Sequence, residues 1–190
     1  MKIRKDLILV FVLGLALGVI LASEVMNLAS ERVCPQKACV GEAEVVPISD
    51  RGYFPAVHKA LQEAKNSIHI AAFELKYYPN NTGSNENLIV EDIISASRRG
   101  LDVRIVVDEY SQANNAYDYL RASGVNIKQD KKDVTTHAKL VVIDGRVVIL
   151  GSTNFSYFAL ERNNEVDVLI ASERVAAYFN DYFESLWKQE

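Results

Sequence analysis

The distribution of hydrophobic and polar positions divides the chain into a short leading segment and a longer globular part. Residues 7–22 form an uncharged apolar run, and the basic residues Lys2, Arg4 and Lys5 precede it. From about residue 45 onward, apolar runs of strand length alternate with stretches in which apolar residues recur at helical spacing. Such alternation is typical of layered domains that combine helices with a sheet. The pattern therefore predicts an α/β domain over residues 45–190, preceded by an N-terminal hydrophobic helix.

The same pattern predicts the order of the elements. Strands are expected at residues 67–73, 101–107, 125–128, 140–143, 146–150 and 166–171. Helices are expected at residues 54–64, 89–100 and 113–122 and from residue 173 onward. Asp50 and Ser172 are suitable N-cap residues for the first and last helices, and Gly100 is suited to end the second. The polar segment Tyr77–Asn87 is either a loop that confers specificity or a solvated connection.

The leading segment, residues 1–26, has the features of a membrane anchor or of a secretory signal. Leu21 and Leu28 occupy positions where a cleavage site calls for small residues, which favours an uncleaved anchor. The positive-inside rule then places the rest of the chain outside the cytoplasm. With cleavage, the domain is secreted or periplasmic instead.

Residues 27–44 are predicted to be a linker, and they contain both cysteines of the chain, Cys34 and Cys39. In an oxidising compartment this pair can close a local disulfide. A metal site needs two further ligands, for which His58 and His69 are the spare histidines. Free thiols are the third alternative. Two cysteines are too few for a disulfide framework or a four-cysteine zinc site.

Composition and charge restrict the kind of partner. Of the 190 residues, 49% are hydrophobic and 24% charged, which is typical of a globular chain. The formal net charge of −4 excludes a global basic field, so any surface that binds phosphate must be local. The candidate basic clusters are Arg98, Arg99 and Arg104, and Lys128, Lys131 and Lys132. The lysine trio is the better placed for phosphate contacts, although a solvated charged loop is the alternative.

The most informative stretch is residues 136–165, where Asp144-Gly145 separates two apolar runs. An Asp-Gly pair in this setting predicts a two-residue type I′ hairpin turn. The pairs expected in that register are Ile143 with Arg146, Lys139 with Leu150, and His137 with Ser152. Since side chains alternate along a strand, His137, Lys139 and Ser152 are predicted to share one face, together with Asn154 if the second strand continues. Gly151 permits a close approach of backbone or ligand.

This group of side chains suits attack on a phosphodiester. Neutral imidazole is a competent nucleophile near pH 7, which gives His137 the role of nucleophile. Lys139 supplies positive charge to the phosphate oxygens, and Ser152 and Asn154 supply neutral donors. The second nitrogen of the imidazole needs an acceptor, for which Glu165 or Asp167 is a candidate.

The leaving alkoxide must receive a proton, and a histidine engaged as nucleophile cannot supply it. His58 falls on a helix pattern and His69 in a buried strand, so structural roles are expected for both. A symmetric dimer resolves the difficulty, because His137 of the partner subunit can then act as the general acid.

The spacing His137-x-Lys139-x4-Asp144-x6-Gly151-Ser152-x-Asn154 resembles the HKD motif of the phospholipase D superfamily, with every signature position present. The resemblance extends over the domain from about residue 45, and Glu165 is similar to the acidic position that follows the motif in small nucleases of the family. A single motif makes the chain similar to small bacterial endonucleases and to the mitochondrial cardiolipin hydrolase (Zucchini) group.

The resemblance implies a phospholipase D-like layered α/β/α domain with a mixed sheet. It also implies a phosphohistidine intermediate, no metal or other cofactor, and a homodimer with a shared active site. Lys139 and Asn154 are implied to bind phosphate, while Asp144 is a turn residue and not a proton donor. Cys34 and Cys39 alone do not reproduce the zinc-finger insertion of the Zucchini group.

Three functions follow from these observations. The leading hypothesis is an endonuclease of low sequence specificity that acts on DNA, RNA or both. The alternative is a phospholipid hydrolase or transphosphatidylase, which the predicted anchor favours because it holds the domain near a bilayer. A binding module with a decayed site is the third possibility, and the intact motif argues against it.

Overall fold

A computed structural model describes residues 43–109 and 115–189. The strands in these ranges are β1 (Glu44–Ser49), β2 (Ser67–Ala72), β3 (Asp102–Val107), β4 (Asn126–Gln129), β5 (Lys139–Ile143), β6 (Val147–Gly151) and β7 (Val166–Ala171). The α-helices are α1 (Tyr53–Glu63), α2 (Asn85–Arg98), α3 (Ala116–Ala122), α4 (Tyr157–Glu161) and α5 (Glu173–Trp187). A 3-10 turn, Asp50–Gly52, leads into α1.

The strands of the described ranges form one mixed sheet with the order β1-β7-β6-β5-β2-β3-β4. Strands β2, β3 and β4 are parallel to one another, and the remaining pairs are antiparallel. These directions bring the carboxyl ends of β1, β2, β3, β4 and β6 to the same edge as the amino ends of β5 and β7. We call this edge the carboxyl edge.

Helices cover both faces of the sheet. On one face, α1, α2, α3 and α4 bury their apolar side chains against alternate residues of the strands, such as Ile70, Ile105 and Val141. On the other face, α5 packs Phe183 and Leu186 against a second set that includes Val142. The predicted mixed α/β domain with α/β/α layers is therefore confirmed for the described residues.

The β5–β6 hairpin differs from its prediction by one residue. Asp144 and Gly145 both have positive φ, 54° and 61°, as a type I′ turn requires. The ladder, however, pairs Ile143 with Val147 and Leu140 with Leu150. Arg146 is thus an extra residue, and its carbonyl accepts a hydrogen bond from Ser172 at 2.8 Å instead of joining the ladder. The predicted register was wrong, because a bulge at Arg146 follows the turn.

This shift removes the geometric reason for placing Lys139 and Ser152 on one face. Continued outward, the observed ladder puts Lys139 opposite Gly151, and strand β6 ends there. Ser152 and Asn154 therefore reach the carboxyl edge through the connection that follows β6, and not through strand alternation.

The end caps were predicted with mixed success. Ser172 is the N-cap of α5, and its hydroxyl accepts a hydrogen bond from the Val175 amide, as expected. Asp50 does not cap α1: the N-cap is Gly52, and the Asp50 carboxylate accepts from the Glu165 amide at 2.9 Å. Strand β1 and the short helix α4 were not predicted from the pattern.

The two spare histidines have structural partners, as expected. His58 Nδ1 lies 2.5 Å from Asp92 Oδ2. His69 is buried, stacks on the Phe183 ring at 4.8 Å, and its Nδ1 lies 2.9 Å from Asn180 Oδ1.

The predicted anchor at residues 1–26 lies outside the described residues, as does most of the linker with Cys34 and Cys39. Within the described part of the chain, no helix combines the length and apolarity needed to cross a bilayer.

Candidate active site at the carboxyl edge

The carboxyl edge collects polar side chains because several strands end or begin there. His137 and Lys139 lie at the amino end of β5, and Ser152 follows β6. Glu165 comes directly before β7. Since β5 is antiparallel to its neighbours β2 and β6, their opposite ends meet at this edge.

The segment that carries His137 is held by two buried or half-buried carboxylates. The Thr136 amide donates to Asp108 Oδ2 at 2.9 Å and to Asp130 Oδ2 at 2.8 Å. Asp108 and Asp130 directly follow β3 and β4. These bonds fix the backbone one residue before His137, so they position its side chain.

The imidazole of His137 is exposed and lies close to an aromatic ring and to an ammonium group. The ring of Phe73 is 4.6 Å from it, centroid to centroid. Lys139 Nζ lies 3.2 Å from Nδ1 and 3.3 Å from Nε2 of the same imidazole, and it donates to the His137 carbonyl at 2.9 Å. In this arrangement the ammonium can donate to whichever ring nitrogen of a neutral imidazole carries no proton.

Lys139 is partly desolvated in this position. Burial lowers the pKa of its ammonium below the ordinary lysine value, and the carboxylates of Glu74 and Glu165 oppose that shift. The ammonium also lies 5.1 Å from the centre of the Phe73 ring. Lys139 therefore links the His137 side of the site electrostatically to Glu165.

Glu165 belongs to a second group of contacts in the site. It accepts hydrogen bonds from the Ser152 hydroxyl and, at 2.9 Å, from the Asn163 side chain. The Ser152 hydroxyl in turn accepts from the Val166 amide at 3.1 Å. Neither Glu165 nor any other carboxylate of the described residues hydrogen-bonds to a ring nitrogen of His137 in the single chain.

Asp167, the other candidate orienter of His137, is engaged elsewhere. Its carboxylate accepts from the Thr153 amide at 3.1 Å and from the Thr153 hydroxyl at 2.5 Å. Burial raises the pKa of Asp167 despite these two bonds, and the nearby Glu165 carboxylate adds to the rise. Asp167 therefore supports the segment after β6, and no hydrogen bond joins it to the imidazole in the described residues.

Asn154 has a polar atom without a partner. Its Oδ1 is buried and accepts no hydrogen bond from the described residues. The adjoining backbone is fixed, because the Phe155 amide donates to the Glu74 carbonyl at 3.2 Å and the Lys76 amide donates to the Phe155 carbonyl at 2.9 Å. Because this oxygen is an acceptor that is shielded from solvent, only the amino group of the Asn154 side chain can donate to a phosphate oxygen.

Gly151 is required by the neighbouring strand. A Cβ at this position would lie 2.1 Å from Asp167 Oδ1 and 2.5 Å from the Val166 carbonyl oxygen. The predicted close approach is therefore that of β7, whose Asp167 pairs with Gly151 in the ladder.

Asp144 is a structural residue, as its place in the turn predicted. Its carboxylate accepts hydrogen bonds from the amides of Lys65, Asn66 and Ser67, at distances between 2.7 and 3.2 Å. Partial burial opposes ionisation, but these three donors outweigh it and hold the pKa of Asp144 below its ordinary value.

Several side chains of the two predicted basic clusters form hydrogen bonds or ion pairs within the protein, which leaves fewer of them free to bind phosphate. Lys128 donates to the carbonyls of Trp187 and Gln189 at the end of α5, so its predicted place in a substrate groove is not supported. Arg99 donates to the Leu61 and Ala64 carbonyls, and Arg104 pairs with Asp102 and Glu184. Lys131 and Lys132 are exposed and follow β4 at the carboxyl edge.

Sequence reasoning missed Phe73, Glu74, Asp108 and Asp130. Phe73 and Glu74 follow β2 directly, and Asp108 and Asp130 follow β3 and β4. The available signal was their position, since residues immediately after neighbouring parallel strands meet at one edge. Among the described residues, no three His, Cys, Asp or Glu side chains are grouped closely enough to hold a metal ion.

Comparison with protein families matches residues 57–187 to the model described as "Cardiolipin synthase, PLD-like domain". The chain belongs to this family. The family predicted from the HKD motif is therefore confirmed, and members of this superfamily hydrolyse phosphodiesters, in agreement with the predicted enzyme class.

Two curated relatives illustrate the similarity of this PLD-like domain. A mitochondrial cardiolipin hydrolase of Chlamydomonas reinhardtii is 30% identical over 102 residues, which are 52% of this chain and 45% of that protein. A phospholipase D of Rickettsia typhi is 29% identical over 127 residues, 65% of this chain and 57% of that protein. The chain thus spans about half the length of these relatives.

Among solved structures, the phospholipase D family member Nuc from Salmonella typhimurium superimposes with a TM-score of 0.68 at 28% identity. The match covers 78% of this chain and 96% of Nuc. The PLD-like fold of the described residues therefore corresponds to nearly the whole of that small protein.

Proposed function

We propose that this chain is a metal-independent phosphodiesterase that cleaves nucleic acid as a nonspecific endonuclease, with His137 as nucleophile and a homodimer as the active species. The observation that carries the proposal is the contact between the exposed His137 imidazole and the Lys139 ammonium at the carboxyl edge. Asn154 follows β6 on the same edge, and the amino group of its side-chain amide is a further donor for a phosphate oxygen.

In the first step, one ring nitrogen of His137 attacks phosphorus, a phosphorus–nitrogen bond forms, and the bond to the leaving alkoxide breaks. Charge accumulates on the non-bridging oxygens, where Lys139 and the Asn154 amide group stabilise it. The leaving alkoxide takes a proton from His137 of the partner subunit.

In the second step, water attacks the phosphohistidine. The partner subunit's His137, now neutral, accepts a proton from that water, and the phosphorus–nitrogen bond breaks. The product is a phosphomonoester, and His137 returns to its starting state. We assign Glu165 the role of orienting the imidazole in the assembled dimer. In one chain Glu165 hydrogen-bonds to Ser152 and Asn163 and not to His137, so this role depends on assembly.

Nucleic acid is the preferred substrate because the fold corresponds to 96% of Nuc, whereas it spans about half of the cardiolipin hydrolase and phospholipase D relatives. The unit shared with Nuc is the small single-motif domain that the sequence interpretation associated with endonucleases. Lys131 and Lys132 offer exposed positive charge at the same edge for phosphates that flank the scissile bond.

A second candidate is hydrolysis of a phospholipid such as cardiolipin. The names of the Chlamydomonas and Rickettsia relatives favour it. The chemistry at His137 is the same for both substrates, so only the groups beside the scissile phosphate distinguish them.

The test gives labelled DNA, RNA and cardiolipin to the full-length protein and to its His137→Asn variant, each with and without a chelator. We expect cleavage of nucleic acid that resists the chelator and is absent from the variant. Cleavage that needs a metal ion, or that survives the substitution, contradicts the mechanism. If cardiolipin is the one substrate that is cleaved, the mechanism at His137 stands, and the substrate is a phospholipid and not nucleic acid.

A further inference from the structure

An aromatic cleft lies beside the candidate active site. It has a volume of about 510 Å³. The residues that line it, which define the aromatic cleft here, are Tyr78, Pro79, Asn80, Asn81, Tyr157 and Phe158. Phe158 is 68% exposed and Tyr157 37% exposed, although large aromatic side chains are usually more deeply buried. No role in the chemistry at His137 accounts for these exposed rings.

The cleft is formed by continuations of two segments that belong to the site. One segment carries Glu74 and then Tyr78, and the other carries Asn154 and then Tyr157. A parallel bridge between Leu75 and Phe155 joins them between the site and the cleft. Because an extended residue spans at most about 3.5 Å, the Cα atom of Tyr157 in the cleft lies within roughly 11 Å of the Cα atom of Asn154 in the site.

Both walls of the cleft are held in place. The buried side chain of Asn87 accepts from the Tyr78 amide at 2.8 Å and donates to the Tyr78 and Asn81 carbonyls at 2.8 and 2.9 Å. On the other wall, Arg162 Nε donates to the Tyr157 hydroxyl at 3.1 Å. A cleft with fixed walls loses little conformational entropy when a ligand binds.

The lining is chemically specific. Its apolar surface comes from three aromatic rings and one proline ring, and none of the described lining residues is a leucine, isoleucine, valine or methionine. The side chains of Asn80 and Asn81 add amide donors and acceptors at the rim. Fatty acyl chains are matched by aliphatic walls, whereas nucleobases combine a flat ring that stacks with polar edges that form hydrogen bonds.

We propose that the aromatic cleft binds an unstacked base of single-stranded nucleic acid, on a nucleotide adjacent to the scissile phosphate. The inference rests on the proposed function and adds a preference for single strands, since the bases of a duplex are not free to enter. Phe158 provides the stacking surface, Asn80 and Asn81 face the base edges, and Arg162, whose guanidinium lies 5.7 Å from the Tyr157 ring centre, supplies charge for the strand.

The test measures binding by fluorescence anisotropy, in the full-length His137→Asn background so that nothing is cleaved. The ligands are a labelled single-stranded oligothymidylate, an abasic strand of equal length and a DNA duplex, all at one salt concentration. A stacked base contributes roughly tenfold or more to affinity. We therefore expect Phe158→Ala to weaken binding of the oligothymidylate about tenfold and to leave binding of the abasic strand and the duplex within about twofold.

The matched control is Tyr178→Ala, which removes a 52%-exposed aromatic side chain from α5 on the other side of the sheet. It should leave all three affinities unchanged. Equal weakening for all three ligands, or none for the oligothymidylate, overturns the inference. So does a Phe158→Ala variant that loses affinity for cardiolipin vesicles instead, or one that dissociates from dimer to monomer in sedimentation, because the occupant is then lipid or a second copy.

Failure of this inference is distinguishable from failure of the proposed function. If the parent protein cleaves DNA or RNA in a His137-dependent manner and Phe158→Ala binds the oligothymidylate as the parent background does, only the base subsite is wrong. If the parent cleaves no nucleic acid, the proposed substrate is wrong as well.

Discussion

The two ends of the β5–β6 hairpin differ in how far the protein itself satisfies the hydrogen bonds of the motif's polar residues. At the closed end, Asp144 accepts hydrogen bonds from three backbone amides. At the open end, the His137 imidazole is exposed, and among the described residues its ring nitrogens have a hydrogen-bonding neighbour only in the Lys139 ammonium. A polar group whose bonding capacity is filled by the protein stabilises the fold, whereas an unfilled one is available to a ligand.

This difference assigns the roles within the motif. Asp144 lies at the far end of a five-residue strand from His137, so it cannot exchange a proton with a phosphate there. The motif therefore joins a structural residue to the residues that we propose to react, and mutations at the two ends should have different effects.

The largest effect is expected from His137→Asn. Loss of the nucleophile should reduce kcat by at least about a thousandfold, while the free energy of unfolding changes by less than about 0.5 kcal/mol because the side chain is exposed. A steady-state assay on the preferred substrate and a urea titration measure the two quantities. A large loss of stability would mean that the open end also holds the fold together.

Lys139→Met should lower kcat about 100- to 1,000-fold, the range found when a donor to a developing charge is removed. Burial lowers the pKa of Lys139, so the charged form of the parent is lost at a lower pH than for an ordinary lysine. Affinity for the substrate in the His137→Asn background, which lacks the histidine, should therefore fall with rising pH below pH 10.5, and adding Lys139→Arg should remove that fall. Binding measured as a function of pH for the two variants tests this, and identical alkaline limbs would exclude Lys139 as the origin of the fall.

Asp144→Ala should show the reverse behaviour, with lower stability and little change in kcat per folded molecule. Removal of hydrogen bonds to a charged group costs about 2 kcal/mol, and alanine at a φ of 54° adds about 1 kcal/mol. Urea denaturation measures the loss. A hundredfold fall in kcat with unchanged stability would contradict the structural role.

The smallest effect concerns pH. Because the pKa of Asp144 is lowered in the folded state, its stabilising contribution is complete above the ordinary value of about 3.9 and is lost as pH falls through the folded value. The stability difference between the parent and Asp144→Ala should therefore narrow below about pH 4. Asp144→Asn, which keeps one acceptor oxygen, should be intermediate near neutral pH. A constant difference between pH 6 and pH 3 would show that the carboxylate charge is irrelevant.

Much of the domain was predictable because its signals are local. Strand β7 was predicted at its observed bounds, and Ser172 caps α5 as expected. The Asp-Gly pair correctly indicated positive φ at both turn positions, since few residues other than Gly, Asn and Asp adopt that conformation. The spacing of the motif was sufficient to predict the family.

Errors arose where a distant segment decided the outcome. Arg146 enters a bulge because its carbonyl bonds to Ser172, and Asp50 leaves the helix cap because its carboxylate binds the Glu165 amide, 115 positions away. Lys128 was predicted to line a substrate groove, but its ammonium donates a hydrogen bond to the Trp187 carbonyl at the end of α5. Neither periodicity nor residue type reports such contacts.

By itself, the sequence determined the alternation of helices and strands, the hairpin turn and the residue types available for phosphoryl chemistry, because each depends on neighbours a few positions apart. Only the tertiary structure decided the one-residue shift of the ladder, the position of Phe73 against His137, the unpaired Asn154 and the aromatic cleft. These features arise where chain segments that are distant in sequence meet, and the hydrogen bonds that join the segments form only once the sheet has assembled.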